Sequence, residues 1–373
     1  MMKRLYFLAC LSILSFSTTL AQNANKTKNV FIITTDGFRW QEVFTGADPI
    51  LISSPKYTRD TSLSKDMYWD ELAEVRRKKL MPFFWNVIAK KGQLYGNRLL
   101  RNKVNMKNIY KISYAGYNEI LTGHQDLKFI PNTPVNNQNI NILEYLNQQP
   151  AYCGKVAAFT SWNIFPFILN ERRSKLPVNS GYENLQEDSI ENTNTLINMV
   201  QNSVAVKKHT RYDMLTYLSA KEYIQSKHPK VLFLGLGETD ESAHGSRYDA
   251  YLQEATMVDK MISDLWYYVQ TNPYYKDNTT FIITTDHGRG SKTNSWNTHN
   301  PFTKGSGETW MAIIGPDITQ PGEMILDQQL YGNQLAVTVA ELLGEEFKTT
   351  HMTAKSIFHS PGNTEDLLLV KSK

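Results

Sequence analysis

The stretch Val30-Phe31-Ile32-Ile33-Thr34-Thr35-Asp36-Gly37 decides the fold class, because it joins an apolar, β-branched run to an acid and a glycine. Three further runs have a similar apolar character, at 231–234, 281–283 and 311–314. Such runs are typical of strands buried on both faces, as in a parallel sheet covered by helices. Helical patterns lie between them, at 80–91, 139–147, 213–226, 248–270 and 333–343. The alternation predicts a three-layer α/β/α fold with a mostly parallel central sheet.

The domain organisation is expected to be simple. Hydrophobic residues make up 41% of the 373 residues and charged residues 20%, which is typical of a soluble globular chain. No internal repeat and no Pro-, Gly- or Ser-rich linker divides it. We therefore expect one domain over 22–373. Residues 162–212 have a weaker periodic signal, and we interpret them as a small cap insertion over the sheet edge.

The first 21 residues have the pattern of a secretory signal peptide. Lys3 and Arg4 precede an apolar run over 5–16, and small residues follow at Thr19 and Ala21. No later run reaches about 18 uninterrupted apolar residues, so no integral membrane segment is expected after signal removal. We predict a periplasmic or secreted protein. The net charge of +4 includes the two signal cations, and it gives no support for a nucleic-acid partner.

Acidic residues follow three of the apolar runs, at Asp36, Asp240 and Asp286. In open α/β sheets ligands bind outside the carboxyl ends of the strands, so these carboxylates are expected to converge on one crevice. Each acid could instead cap a following helix. Histidines accompany two of them, in Asp240-x-x-x-His244 and Asp286-His287. Crowded carboxylates repel one another without a cation between them, and this mixture of ligands suits zinc, manganese or iron.

A candidate nucleophile comes from the segment Ser113-Tyr-Ala-Gly-Tyr-Asn-Glu-Ile-Leu-Thr-Gly123. Ser113 stands just before a short predicted helix that ends at Gly123. Its hydroxyl would face the positive end of that helix, where an alkoxide and a bound anion are both favoured. The alternative interpretation is an ordinary serine cap.

The order of these elements resembles that of the alkaline phosphatase superfamily, especially its nucleotide pyrophosphatase/phosphodiesterase-like branch. The resemblance spans roughly residues 29–344 and adds His299, which has no local signal of its own. It implies two divalent metal ions, expected to be zinc, and Ser113 as a residue that reaches the second of them. By the same resemblance the first ion is held by Asp240, His244 and His299, and the second by Asp36, Asp286 and His287.

The resemblance also implies an exported phosphoric ester hydrolase that forms a seryl phosphate on Ser113 and acts on a small-molecule phosphate ester. Asn132 stands near the position of a phosphate-binding asparagine in relatives, and Asn136 and Asn137 compete for that role. Trp162 is a candidate wall of the leaving-group pocket, and a packing role is its alternative.

Other functions fit the residues less well. A sulfatase would need a Cys/Ser-x-Pro-x-Arg sequence, and the segment that begins at Ser113 lacks both the proline and the arginine. A cofactor-independent phosphoglycerate mutase shares the Ser-x-x-Gly-x-Asn turn, but the interval from Ser113 to Asp240 is too short for its second domain. A non-catalytic binding protein on this scaffold would lack at least one ligand, and all six are present.

A phosphomonoesterase using the same site is the main alternative. Monoester-specific relatives add cationic side chains to grip a doubly charged phosphate, and residues 161–167 contain neither Lys nor Arg. We therefore expect a slight preference for diesters. Arg172, Arg173 and Lys175 follow shortly and could supply the missing cations.

Overall fold

A computed structural model describes residues 25–128, 130–186 and 193–360. The predicted signal peptide at 1–21 lies outside the described residues. Among the described helices, none combines the length and the apolar character that a bilayer-spanning segment requires.

The centre of the fold is an eight-stranded sheet. Its strands in chain order are β1 (Asn29–Thr35), β2 (Gln93–Tyr95), β4 (Val156–Thr160), β5 (Val178–Ser180), β6 (Val231–Leu236), β7 (Thr279–Thr284), β9 (Met311–Ile314) and β10 (Gly322–Glu323). They are arranged in the order β10-β2-β9-β7-β1-β6-β4-β5. A smaller sheet is formed by β3 (Asn102–Asn105), β8 (Glu308–Thr309) and β11 (Gln328–Tyr331).

Helices cover both faces of the large sheet. In chain order they are α1 (Trp40–Thr45), α2 (Pro49–Ile52), α3 (Thr61–Tyr68), α4 (Ala73–Leu80), α5 (Ala89–Lys91), α6 (Ser113–Thr122), α7 (Ile142–Asn147), α8 (Phe165–Ile168), α9 (Glu171–Ser174), α10 (Thr193–Asn202), α11 (Asp213–Lys227), α12 (Glu238–His244), α13 (Tyr248–Thr271) and α14 (Leu335–Leu342). One buried cluster joins the sheet to α11 and α13, and another joins it to α6, α7 and α14. The predicted three-layer α/β/α fold is confirmed.

Strand β1 lies at the middle of the sheet, parallel to both β6 and β7. All three strands are buried along their whole length, and alternate residues of β1 belong to the two opposite hydrophobic clusters. In the register, Thr35 lies opposite Leu236 and Thr34 opposite Thr284. The three strands therefore end at the same level, and the residues that follow them meet at one edge.

The direction of β9 differs from the expectation. The run at 311–314 is buried as predicted, but it pairs antiparallel with both β7 and β2. A parallel return to the same sheet needs a crossover, usually a helix, and the described chain between β7 and β9 contains only loops and the short β8. Apolar composition alone does not distinguish the two directions, because both kinds of strand are buried here.

The predicted helix at 80–91 is interrupted. Helix α4 ends at Leu80, and a π-helical turn at Phe84–Ile88 leads into α5. Met81 has φ −132° and ψ 72°, outside the helical region, because the following Pro82 disfavours helical geometry in its predecessor.

The interval 162–212 includes more than a cover over the sheet edge. It contains α8, α9 and α10, but it also supplies β5, which pairs parallel with β4 at the edge of the main sheet. The interpretation of this interval as a cap insertion, and of 22–373 as one catalytic domain, stays a prediction.

Candidate metal centre and nucleophile

Two clusters of possible metal ligands lie at the carboxyl edge of the sheet. The members of each cluster offer ligand atoms that lie within 4.8 Å of one another. We name them the first group, Asp240, His244 and His299, and the second group, Asp36, Asp286 and His287. The structure thus brings together the same two sets of three that the resemblance implies. Their role as ligands stays a prediction.

The local sequence explains most of this placement. Asp36 and Asp286 follow the adjacent parallel strands β1 and β7, so the register carries both to one edge. Asp240 and His244 are four residues apart on α12, which begins just after β6, and this spacing puts them on one helix face. His299 comes from a loop after β7, and its ring stacks on that of His287 with 3.7 Å between centroids. The two groups are therefore direct neighbours.

The second group is buried and rich in unsatisfied acceptors. His287 Nε2 lies 3.3 Å from Asp36 Oδ1 and 3.4 Å from Asp286 Oδ2. Neither of these two carboxylate oxygens has a hydrogen-bond partner among the described residues. His287 Nδ1 lies 2.9 Å from the Gly288 carbonyl, which can only accept, so Nδ1 donates there and Nε2 is the nitrogen that faces the two carboxylates. This donor set fits a divalent cation.

Electrostatics also favours a cation in the second group. Burial and the charge of Asp36 raise the pKa of Asp286 above its ordinary value. Burial lowers the pKa of His287, but Asp286 and Asp36 outweigh this effect and raise it to about 9. The two carboxylates thus make the site attractive to positive charge, and a bound divalent ion would offset the cost of burying them together.

The first group is more open. His244 Nε2 lies 3.1 Å from His299 Nε2 and 3.1 Å from Asp240 Oδ2. His299 Nδ1 lies 2.9 Å from the Lys111 carbonyl, so it donates there and leaves Nε2 for a ligand. Burial lowers the pKa of both histidines, and the neighbouring His287 lowers that of His299 further. Both imidazoles are thereby held neutral, the form that binds a metal.

Ser113 is the first residue of α6, and its Oγ lies 3.3 Å from His287 Nε2. The residue that caps α6 is Ile112, without a side-chain hydrogen bond, so the serine-cap alternative is not adopted. Gly116 explains the close approach of this helix, because a Cβ there would lie 2.4 Å from the Asp286 carbonyl oxygen. The helix thus presses against the second group and brings the hydroxyl to its edge.

Residues 138–324, half of the chain, match the family model described as type I phosphodiesterase / nucleotide pyrophosphatase. The chain belongs to this family. No curated protein matches its sequence. The family and the fold together make it a hydrolase of the alkaline phosphatase superfamily.

Solved structures share the fold of this family member at low sequence identity. The lipoteichoic acid synthase LtaP from Listeria monocytogenes superposes with a TM-score of 0.59 at 12% identity, over 90% of this chain and 76% of its own. A mutant of the alkaline phosphatase PafA superposes with a TM-score of 0.55 at 12% identity, over 90% of this chain and 99% of its own. The 2-O GAG sulfatase BT1596 superposes with a TM-score of 0.52 at 11% identity, over 90% of this chain and 74% of its own. These similarities establish the fold alone.

Two further side chains touch the candidate ligands of this phosphodiesterase family member. Tyr117 donates its hydroxyl to Asp36 Oδ2 at 3.1 Å. Arg289 is buried, contacts Asp240 Oδ1, and donates to the Asn297 carbonyl at 2.8 Å. Sequence reasoning missed both. Tyr117 lies one helical turn after Ser113, which was a usable signal, whereas nothing local shows where the Arg289 side chain points.

The predicted phosphate-binding asparagine lies beside the nucleophile. Asn132 is exposed, and its Oδ1 accepts from the Tyr114 N–H at 2.9 Å, next to Ser113. Its competitor Asn137 is buried and donates to Asn118 Oδ1 at 2.9 Å. Asn136 shows one contact, through its carbonyl, which accepts from a neighbouring glutamine amide. The geometry favours Asn132, whose substrate contact stays a prediction.

Trp162 has contacts that a packing role requires. It is half-buried, lies edge-to-face with Phe165 at 6.3 Å, and forms a backbone bridge with Thr210. Its role as a wall of the leaving-group pocket stays a prediction.

Gly37 lies between the two groups, and we predict a large effect from Gly37→Ala. Its φ is +59°, and a Cβ would lie 2.8 Å from Asp240 Oδ1 and 3.0 Å from His287 Cε1. We expect the free energy of unfolding in urea to fall by about 1–2 kcal/mol for the left-handed backbone, with about 1–3 kcal/mol more from crowding. Gly344→Ala is the matched control, because φ there is +74° but no atom lies within 4 Å of a Cβ. Equal losses in both variants would contradict the crowding argument.

Proposed function

We propose that this chain is an exported two-metal phosphoric ester hydrolase that acts through a seryl phosphate on Ser113. The observation that carries the proposal is the position of the Ser113 hydroxyl, at the start of α6 and 3.3 Å from His287 Nε2. This hydroxyl lies against a group in which two of the four carboxylate oxygens have no donor among the described residues. The sequence pattern at 1–21 supports export to the periplasm or beyond the cell.

The six ligand candidates would hold two divalent ions, which we propose to be zinc because Asp and His make up the whole donor set. Bound there, the ions would supply Lewis-acid stabilisation for the attacking and leaving oxygens. The chain's own residues prepare the site. The carbonyls of Gly288 and Lys111 fix the tautomers of His287 and His299, and Tyr117 orients the carboxylate of Asp36.

Ser113 would act as the nucleophile. Its Oγ would form a bond to phosphorus as the alcohol of the ester departs, and water would then hydrolyse the seryl phosphate. The N-terminus of α6 favours negative charge at this position. Asn132, which accepts from the Tyr114 N–H at this end of the helix, is our candidate for contact with a phosphate oxygen.

We propose a slight preference for diesters over monoesters. Arg173 donates to Glu144 at 2.7 Å and to backbone carbonyls of 137–139, so its guanidinium is already engaged. Lys175 lines a cavity of about 480 Å³ whose lining includes no member of either metal group. Two of the three cations that could grip a second anionic oxygen are thus directed elsewhere, which supports the diester preference.

Initial rates with zinc-loaded protein test this proposal. The substrates are matched nitrophenyl compounds: a phosphate monoester, a phosphate diester and a sulfate. We expect both phosphates to be hydrolysed, the diester somewhat faster, and the sulfate at least about 100-fold more slowly, because the segment after Ser113 lacks the residues for formylglycine formation. Chelated protein is the control. A monoester rate constant 100-fold above that of the diester would reject the diester preference, and a dominant sulfate rate would reject phosphate ester hydrolysis.

A further inference from the structure

Glu119 is a buried carboxylate in the middle of the nucleophile helix α6, with no exposed surface. Its oxygens accept from the backbone N–H of Lys107 at 2.7 and 3.0 Å and from that of Asn108 at 2.7 Å. One of them also accepts from the Asn108 side-chain amide at 2.8 Å. All these donors belong to the loop that connects β3 to α6. A single side chain of the helix thus anchors the loop that leads into Ser113.

The same loop reaches the first metal group. Asn108 Oδ1 accepts from the backbone N–H of Lys111 at 3.0 Å. The Lys111 carbonyl accepts in turn from His299 Nδ1 at 2.9 Å. Lys111 has a left-handed backbone with φ +54°, which directs its carbonyl only while the surrounding hydrogen bonds hold it. A continuous series of hydrogen bonds therefore runs from Glu119 through Asn108 and Lys111 to a candidate metal ligand.

We propose that Glu119 is a positioning residue that fixes, through Asn108 and the Lys111 carbonyl, the orientation of the His299 imidazole relative to Ser113. This inference rests on the proposed function, because it assigns His299 to a metal ion. Lys111 lies two residues before Ser113, so one anchored loop sets both the nucleophile and a ligand of the first group. The Lys111 carbonyl would be the direct partner of the ligand, a type of contact whose loss typically changes metal affinity or activity by about 10–100-fold, and Glu119 acts on it through Asn108.

A carboxylate is required at this position because every group that faces it is a donor. Glutamine would keep the size of the side chain but replace one acceptor oxygen by an NH₂ group. That NH₂ would confront the N–H of Lys107 or Asn108, and a buried donor would lose its partner. Glu119→Gln therefore disturbs the loop with the smallest possible change of volume.

The test measures zinc affinity as well as rate. Zinc is titrated into wild type and Glu119→Gln against a colorimetric chelator, and kcat and KM are determined for the nitrophenyl diester at saturating zinc. We expect the affinity for one of two zinc ions to fall about 10-fold or more, with the other unchanged, and kcat to fall about 10-fold with little change in KM. Wild type that binds fewer than two ions would contradict the proposed function itself, independently of Glu119.

Asp259→Asn is the matched control. Asp259 is also buried, and its two oxygens accept the backbone N–H groups of Phe83 and Phe84, each at 2.8 Å. Replacing it removes a buried acceptor from α13 without touching the loop before Ser113. We expect lower stability to urea, with both zinc affinities and kcat unchanged. If Glu119→Gln also lost stability but kept both zinc affinities and kcat, the positioning role would be overturned.

Asn108 provides a second variant and a rescue. Asn108→Ala removes the link to Lys111 while Glu119 keeps its backbone partners. We expect it to lower the affinity for the same zinc ion, and it tests the proposal even if Glu119→Gln fails to fold. In the double variant Glu119→Gln with Asn108→Asp, the new amide can donate to the new carboxylate, and the acceptor for Lys111 is retained. We expect it to recover part of the zinc affinity lost in Glu119→Gln. No loss in Asn108→Ala would overturn the proposed series of contacts.

Discussion

Replacing Ser113 with alanine is expected to lower kcat by about 10³-fold or more while the protein stays folded. The hydroxyls of Tyr114 and Ser161 are the other candidate nucleophiles of these segments, and both are engaged elsewhere. Tyr114 donates its hydroxyl to the Val135 carbonyl at 2.6 Å, and Ser161 donates to Asp213 Oδ1 at 2.5 Å. The measurement is the initial rate on the nitrophenyl diester. Circular dichroism and zinc content of the same preparation show whether the protein is folded and metal-loaded.

Ser161→Ala is the control for this experiment. It also removes a buried serine hydroxyl, one that contacts Asp213 and Thr216 rather than either metal group. We expect it to lose some stability and to keep kcat within a few-fold of wild type. A Ser113→Ala protein with a rate near that of wild type would make water the direct nucleophile and exclude the seryl phosphate.

The second large effect concerns the metals. Wild type is expected to contain close to two zinc equivalents, and chelation should remove both the zinc and the activity. Asp36 belongs only to the second group and Asp240 only to the first, so Asp36→Ala and Asp240→Ala should each lose one equivalent, and a different one. We expect either change to lower kcat by about 10³-fold or more, because both ions act on the same displacement.

Elemental analysis of the purified variants checks this prediction, with Asp264→Ala as the control. Asp264 pairs with Lys221 on the surface and contacts neither group, so this variant should keep two equivalents and full activity. Active wild type with one equivalent or none would reject the two-metal assignment. If one added equivalent of zinc fully restored the activity of both variants, the division of the ligands into two groups would be wrong.

Much of the fold and most of the two groups could be predicted because their signals are local. The buried runs before Asp36 and Asp286 are visible as apolar composition, and the helical patterns between the runs predict that β1 and β7 are parallel. The acids then meet at one edge by the rule for ligand sites in open sheets. His244 was within reach because four residues separate it from Asp240 on one helix.

The remaining features depend on contacts between distant parts of the chain. His299 is oriented by the carbonyl of Lys111, 188 residues earlier, and no periodicity records such a contact. The burial of Arg289 against Asp240 depends on how the loop after β7 packs against α12. The direction of β9 depends on the path of the connection rather than on its residues, since a buried strand of either direction has the same composition.

The two groups differ in how readily water reaches them. The His244 side chain is 49% exposed, whereas those of Asp286 and His287 are 0% exposed. An ion in the first group could be removed by stepwise ligand exchange with the protein fully folded. An ion in the second group would exchange more slowly, because the side chains of two of its candidate ligands are closed to solvent. In surroundings poor in zinc, the species that accumulates would be a half-loaded enzyme, inactive but ready to resume turnover after the capture of a single ion.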